Sequence, residues 1–442
     1  MSAPTNSNDA GTMPVKAEPL QFSSNLGYDD YARCVHCGLC LNHCPTYKLW
    51  GREADSPRGR IRQMMLVDEG KLSVGETFVT HMDRCLDCRA CETVCPSGVE
   101  YGKLIEHARG QIEHEYRRPL FSRLTRNFFY RKVLPFPRRI AALGRATRIY
   151  QRSGLQWLAR GSGVLRLFGL AERERLMPTI DREFFFSQLG KSFPAKGTRR
   201  ARVAFFAGCV AQVSFTELND ATIRVLQANG CEVVVPAEQL CCGALCVHAG
   251  VRDVAADLAR ANIKAFMAEP FDAIVTNAAG CGSTLKEYEQ LFPAGSPEHL
   301  QANEFRAKVR DVTEFLAELG LVAPLKNVAL RVTYQDSCHL LHGQKISSAP
   351  RTLIRAVPGV ELVEMAQGDQ CCGSAGVYNV TETSAALEIL AAKMENIRAT
   401  RAQAIVTANP GCILQLRAGA EIHGTRQEVM HVVELLDRAL AQ

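Results

Sequence analysis

Eight of the 18 cysteines fall between residues 34 and 95, in two copies of one spacing. Cys34, Cys37, Cys40 and Cys44 form a Cx2Cx2Cx3C run closed by Pro45. Cys85, Cys88, Cys91 and Cys95 repeat the run without deviation and are closed by Pro96. Short spacers let three thiolates converge on one cubane, whose fourth iron needs a ligand from elsewhere. In paired [4Fe–4S] sites the fourth cysteine of each run crosses to the other cluster. The expected ligand sets are therefore Cys34, Cys37, Cys40 and Cys95 for cluster A, and Cys85, Cys88, Cys91 and Cys44 for cluster B. Pro45 and Pro96 fix φ and turn the chain after each crossing ligand. Structural zinc takes four ligands in pairs of CxxC and gives no reason for the extra cysteines and following prolines. His36 and His43 lie inside the first run, but eight cysteines already complete two clusters, so packing or a hydrogen bond near sulfur is their expected role.

A second cysteine pattern occupies the other half of the chain. Cys209, the pair Cys241–Cys242 and Cys281 reappear about 130 residues later as Cys338, the pair Cys371–Cys372 and Cys412. A repeat held that closely argues for two modules of one fold. Each brings a single, an adjacent pair and another single cysteine toward one place. Adjacent cysteines meet one site only across a turn, and Gly243 and Gly373 allow that turn. One or two further clusters at Cys209, Cys241, Cys242, Cys281, Cys338, Cys371, Cys372 and Cys412 compete with inert buried thiols as the reading. Cys231 and Cys246 have no counterpart in the second copy and read as core or peripheral residues. His339 and His342 flank Cys338, but the repeat already accounts for that cysteine, so nucleophilic catalysis is not expected.

The elements that must hold these residues are partly readable. Ser56-Pro57 is a helix start, an N-cap followed by a first-turn proline, with Ile61, Met64 and Met65 on the helix. Leu104, Ile105, Ala108 and Ile112 share one face of a helix after Cys95. The first cysteine domain thus reads as helical rather than β-rich. Arg58, Arg60 and Arg62 could offset cluster charge or form a solvated face. In the repeat, Val203–Phe206, Glu232–Val235 and Ala273–Thr276 read as strands. Thr216–Gln227 and Val251–Phe266 read as helices. Ala329–Tyr334, Glu361–Met365 and Ala404–Thr407 echo the strands, and Ala385–Ile397 is the corresponding helix. This is βαβ language with cysteines after the strands, where ligands gather in open α/β sheets. The fold class is mixed: a helical two-cluster ferredoxin domain, then two α/β modules related by repeat. The expected boundaries are a flexible tail over 1–27, the ferredoxin domain over 28–115, a basic helical linker over 116–199, and the modules over 200–322 and 323–442.

Composition sets outer limits. At 47% hydrophobic and 22% charged the 442-residue chain is globular. It has no apolar run of about 20 residues that could span a membrane. The first residues lack a secretory signal, and a cytoplasmic protein is expected. Residues 116–170 hold thirteen of the 52 basic residues and none of the 46 acidic ones, so the rest of the chain is net acidic. Docking on an acidic partner or on the chain's own acidic surface is one reading of that segment. Peripheral contact with an anionic membrane is another. Nucleic-acid binding is not expected, because no recognition motif accompanies the charge. Neither GxGxxG after a strand nor GxxxxGK[ST] occurs, so a nucleotide site is not expected.

The stretches CVHCGLCLNHCPTY at 34–47, SPRGRI at 56–61, HMDRCLDCRACETVCPSGV at 81–99, NAAGCGSTLKEY at 277–288, CCGSAGVYN at 371–379, NPGC at 409–412 and HVVELLDRAL at 431–440 together resemble the glycolate oxidase iron–sulfur subunit family. The wider group is similar to proteins of lactate utilisation, anaerobic glycerol-3-phosphate dehydrogenase and heterodisulfide reductase. The resemblance implies an electron-transfer subunit without substrate chemistry of its own. A partner carrying flavin (FAD) would oxidise glycolate to glyoxylate, and electrons would pass toward a membrane acceptor, a quinone, at the inner membrane face. The same relay in a lactate or other 2-hydroxy-acid dehydrogenase, and a scaffold with structural clusters, are the alternatives. Modules of heterodisulfide reductase type finish in CxxC, but Ala278 and Asn409 replace the first of those cysteines here. Four thiols per module suit a conventional cluster, and disulfide-reducing chemistry is not expected.

Overall fold

The computed structural model describes residues 28–441, and the tail expected over 1–27 lies outside the described residues. Ser56 caps helix Pro57–Asp68, accepting a hydrogen bond from the Gly59 N–H at 3.0 Å, with Pro57 in the first helical turn. Ile61 and Met64 of this helix are buried against Phe78, Val79 and Met82 of helix Glu76–Asp83. Helix Tyr101–Glu115 completes the cluster with Leu104, Ile105, Ala108 and Ile112, the four positions expected on its apolar face. No strand precedes Ser192 among the described residues, so the first cysteine domain is helical as expected. Helices Leu120–Arg126, Pro137–Arg152 and Leu155–Gly161 follow, and Pro119 and Pro137 stand at two of their starts.

Two sheets carry the repeat. The first joins β1 (Ser192–Phe193), β2 (Ala201–Phe206), β3 (Cys231–Val234), β4 (Ala273–Thr276) and β5 (Val309–Asp311) in the order β1-β3-β2-β4-β5. The second joins β6 (Leu330–Tyr334), β7 (Val360–Leu362), β8 (Ala404–Thr407) and β9 (Glu428–His431) in the order β7-β6-β8-β9. Without the antiparallel edge strand β1 the two orders are the same, and every remaining pair is parallel. Strands β4 and β8 share the sequence AIVT and are buried at every position, as parallel strands covered on both faces require. Strand β7 is shorter than the expected Glu361–Met365, although the Val363 N–H still bonds to the Val332 carbonyl at 2.8 Å.

The modules embrace each other reciprocally. The last helix of the first module, Val312–Leu319, packs on helix Ser348–Arg355 of the second. The last helix of the second, Val432–Ala439, packs on helix Thr216–Ala228 of the first, and Arg224 pairs with Asp437 at 2.7 Å. Both final helices start with a reciprocal cap: Asp311 with Glu314 in one, His431 with Glu434 in the other. One apolar core therefore runs through both modules.

His431 is fully buried and its Nδ1 accepts from the Val433 N–H at 3.1 Å. Burial pushes its pKa down to about 4, below the ordinary value near 6.5. The depressed value means that its contribution is present above pH 6.5 and is lost as pH falls toward 4. One such group removes about 2 kcal/mol of stability between neutrality and pH 5. His431→Asn keeps a capping acceptor without a titrating ring. Thermal unfolding between pH 7 and pH 5 should show a smaller acid-side decline for that variant, and an identical decline would refute the assignment.

Candidate iron–sulfur and cysteine-rich sites

The two cysteine runs lie side by side and exchange their last members. One cleft is lined by Cys34, Cys37, Cys40 and Cys95 together with Cys91, Pro57, Arg58 and Tyr101. A neighbouring cleft is lined by Cys44, Cys85, Cys88 and Cys91 with Arg60 and Tyr101. Cys95 thus stands with the first run and Cys44 with the second. The chain bends alike in both runs: His36 and Gly38 in the first, and Asp87 and Arg89 in the second, have φ near +55° to +85°. Arg89 takes the place of Gly38 at φ +59°, a conformation that costs a side-chain-bearing residue about 1 kcal/mol or more.

Cations and N–H groups surround these thiols. Arg60 is 1% exposed; its Nε donates to the His81 carbonyl at 2.7 Å and its Nη1 to the Thr46 hydroxyl at 3.1 Å. Burial opposes its charge, but Tyr101, Cys85, Cys44 and Asp55 outweigh that and keep it firmly protonated. Arg58 stands at the other cleft, tied to Glu53 and to the His36 carbonyl, whereas Arg62 pairs with Glu69 on the surface. The Asp87 N–H donates to Cys85 Sγ at 3.3 Å, and the Tyr101 hydroxyl does so at 3.5 Å. His36 is exposed, and His43 makes no hydrogen bond through Nδ1.

The eight repeated module cysteines line one cavity of about 310 Å³ at the junction of the three domains. Within the first module Cys209 Sγ lies 3.3 Å from Cys241, and Cys242 lies 3.2 Å from Cys281. The second module places Cys338 beside Cys371 and Cys372 beside Cys412 in the same way. Gly243 and Gly373 make the expected turns at φ +82° and +88°, and each N–H donates to the first sulfur of its pair. A Cβ on Gly373 would lie 2.6 Å from the Ala386 carbonyl, so no other residue fits there. Cys231 and Cys246 are buried in the core; Cys246 does not line the cavity. Asn409, standing where a fifth cysteine was wanting, donates to Cys412 Sγ at 3.5 Å and accepts from the Gly280 N–H.

Local sequence signals did not reveal how the ferredoxin domain reaches this cavity. Leu86 and Cys88 line it, and Cys88 packs with Cys338, Cys371 and Tyr378. His339 and His342, the neighbours of Cys338, face the ferredoxin domain: His339 Nε2 lies 2.9 Å from the Asp87 carbonyl and His342 Nδ1 lies 2.8 Å from the Thr93 hydroxyl. A buried ion network sits beside them. His248 of the first module meets Asp87 at 3.1 Å and Glu106 at 3.3 Å, and Arg89 bridges Glu106 and Glu287. Burial works against charge on His248, but its two carboxylates raise its pKa to about 9. Asp87 is held below the usual carboxylate range by that partner and by Arg89 and Arg109, against the effect of burial. His339 goes the other way, to about 4, through burial and the cationic His248 and Arg89.

The family model for a 4Fe-4S dicluster domain matches residues 30–99, and that for a cysteine-rich domain matches 203–286 and 332–417. A third, the linker region of the glycolate oxidase iron-sulfur subunit, matches 121–177. The probable glycolate oxidase iron-sulfur subunit of Bacillus subtilis is 40% identical over 94% of this chain and 95% of its own. The glycolate oxidase iron-sulfur subunit of Escherichia coli is 34% identical over 96% and 98%. The chain belongs to the glycolate oxidase iron-sulfur subunit family. A lactate utilization protein of Oceanobacillus iheyensis is also similar, 29% identical over 53% of this chain and 96% of its own. Membership accounts for iron–sulfur binding by a subunit of an oxidoreductase complex.

Arg89→Gly tests the ion network that joins ferredoxin domain and first module. The change relieves the left-handed backbone but leaves Asp87, Glu106 and Glu287 short of a cation. A net loss of about 2–4 kcal/mol is expected, read as a lower urea midpoint. A midpoint equal to that of the parent would show that the network does not hold the junction.

Proposed function

We propose that this chain carries electrons from a flavin-bearing subunit that oxidises glycolate to glyoxylate, on the cytoplasmic side, toward a quinone in the membrane. The reading is carried by the exchange of Cys44 and Cys95 between two neighbouring four-thiol sets in a chain similar end to end to glycolate oxidase subunits. Cys34, Cys37, Cys40 and Cys95 would hold one [4Fe–4S] cluster, and Cys85, Cys88, Cys91 and Cys44 another. Cys209, Cys241, Cys242 and Cys281 would hold a third, and Cys338, Cys371, Cys372 and Cys412 a fourth. The donor sets fit: each brings four thiols together with a backbone N–H or a cation beside sulfur. Such clusters, when bound, exchange single electrons with little change of geometry.

The protein's own groups supply the setting. Arg60 and Arg58 place fixed positive charge at the two ferredoxin clefts, and the N–H groups of Asp87, Gly243 and Gly373 point at sulfur. Hydrogen bonds and charge at sulfur raise the reduction potential relative to an uncompensated site. The ferredoxin domain sits with Cys88 against the second module, which keeps all four thiol sets in one continuous body.

Iron and acid-labile sulfide in anaerobically purified protein should each come to about sixteen per chain, and to about eight if only the ferredoxin sets are filled. Zinc without sulfide would overturn the whole reading. Cys95→Ser should remove the paramagnetic signature of the cluster tied to the first run, although the substitution lies in the second. In the complex with its flavin partner, glycolate should bleach the visible absorption of the chain. Bleaching by lactate in preference to glycolate would assign the relay to a different 2-hydroxy acid.

A further inference from the structure

Among the described residues 21 large apolar side chains are left exposed, and fourteen of them lie between Leu120 and Leu170, so exposure of this kind is concentrated in one segment. The segment is seated, not loose. Tyr130, Val133, Leu134 and Ala141 are buried beneath it, and Gly144 sits against Phe184 and Val213. Its outer side carries the apolar groups at helical spacing. Leu120, Leu124 and Phe128 follow one another four residues apart, with Phe121 beside them, and Val164, Leu167 and Phe168 form a second stripe. Phe121 is 80% exposed, Trp157 78% and Leu167 80%.

Charge is sorted across the same segment. Arg118 and Arg131 turn inward onto Asp83 and Asp253, and Arg126 turns onto Glu113. These pairs satisfy the acidic surface of the chain itself. Arg117, Arg123, Arg138, Arg145, Arg152 and Arg166 are exposed, with no carboxylate in salt-bridge range among the described residues. No acidic residue lies anywhere between 116 and 170.

We propose that this outer face docks on an anionic lipid surface. Aromatic and aliphatic side chains beside unneutralised arginines match the interfacial helices that bury an apolar face below the headgroups. An anionic bilayer meets both needs at once: acyl chains receive Phe121, Trp157 and Leu167, and phosphates receive the guanidinium groups, whose stems lie along the apolar layer. A protein partner would have to be acidic and apolar over the same area. The chain just beyond the segment reaches the cysteine cavity, where Leu176 and Pro178 form part of the wall, so docking brings the membrane toward that side of the molecule. The proposal deepens the membrane-acceptor reading, on which its purpose rests, yet lipid binding is measured without electron transfer. Failure of one is thereby separable from failure of the other.

The test uses the full-length holoprotein and vesicles of phosphatidylglycerol mixed with phosphatidylcholine, with phosphatidylcholine vesicles as control. Sedimentation with the anionic vesicles at low salt, and release at high salt, is expected. Phe121→Ser combined with Trp157→Ser should weaken partitioning about tenfold or more, with bound iron and circular dichroism unchanged. In a Trp50→Phe background the emission of Trp157 should shift to the blue on vesicle addition. Absence of sedimentation at low salt overturns the proposal. So does full binding by both that double variant and Arg117→Gln/Arg123→Gln/Arg138→Gln. If those variants lose the flavin-bearing partner while the parent ignores vesicles, the face is a protein interface and the lipid assignment falls.

Discussion

A buried thiol resists ionisation, and this protein places most of its cysteines where that resistance is strong. Burial and nearby thiols push Cys40 up to about 11; Cys338 also stands at about 11, the lowering hydrogen bond with Cys371 being outweighed by burial and the other nearby thiols. The Cys371 thiol and burial push Cys372 up to about 12, and Cys88, Cys91 and Cys412 rise well above the usual thiol range. Metal binding needs the thiolate, so a cluster held by these groups would have to supply the energy of ionising them, together with charge already built into the walls. Arg60 and Arg58 stand at the ferredoxin clefts. Near the second module, Lys393 is 2% exposed and donates to the Gln367 carbonyl at 2.6 Å. Burial lowers the pKa of Lys393, while Cys338, Cys372 and Cys371 act to keep its charge. Without such groups, four thiolates in each pocket would repel one another in a medium that screens poorly. Arg60 and Lys393 are buried cations beside two of the four thiol sets, where they offset part of that repulsion.

The repeat solves a second problem, how to bring eight cysteines from two modules to one place. Each module puts its cysteines after the carboxyl ends of parallel strands, and the reciprocal exchange of final helices turns the two modules so that those ends face a shared cavity. The caps that start those helices are part of the same device. Asp311 holds the Thr313 N–H at 2.8 Å and His431 holds the Val433 N–H at 3.1 Å, so different residues fill one structural role in the two copies. A buried carboxylate and a buried imidazole respond to pH in opposite directions. Burial raises Asp311 to about 6, so its folded form is favoured by protonation as pH falls, whereas His431 is disfavoured.

Whatever depended on short-range chemistry was legible in the sequence. The two runs, the Ser56-Pro57 helix start, the apolar face at Leu104, Ile105, Ala108 and Ile112, and the strands before Cys281 and Cys412 all have causes within a few residues of themselves. Strand β7 was less readable because its exposed Glu361 and half-buried neighbours give only a weak pattern. The antiparallel edge strand β1 has two residues and no periodicity at all. Junction residues carried no local signal. His248 sits in a short helix after a cysteine pair, and Asp87 reads as a spacer between ligands; only folding brings them to 3.1 Å. The one trace was conformational. Arg89 occupies the position held by a glycine in the first run, and a side chain kept there at φ +59° needs a compensating interaction.

That compensation shows how the ferredoxin domain divides its contacts. Its charged groups, Asp87, Arg89, Glu106 and Arg109, meet His248 and Glu287 of the first module. Its apolar tip, Leu86 with Cys88, meets Cys338, Cys371, Tyr378 and Ala386 of the second. Ion pairs fix distance and orientation through specific geometry, whereas apolar packing excludes water and adds no net charge beside sulfur. Had the same carboxylates faced Cys371, their negative charge would have opposed ionisation of a thiol already held well above its ordinary range by Cys338 and burial. Ion pairs therefore tie the ferredoxin domain to the first module, while the second meets it through Cys88 and Leu86 and through the hydrogen bonds of His339 and His342. Within the modules the two cysteine sets share one spacing and one pairing of sulfurs, and the docking of the ferredoxin domain adds to the differences that Lys393 and Asn409 make between them.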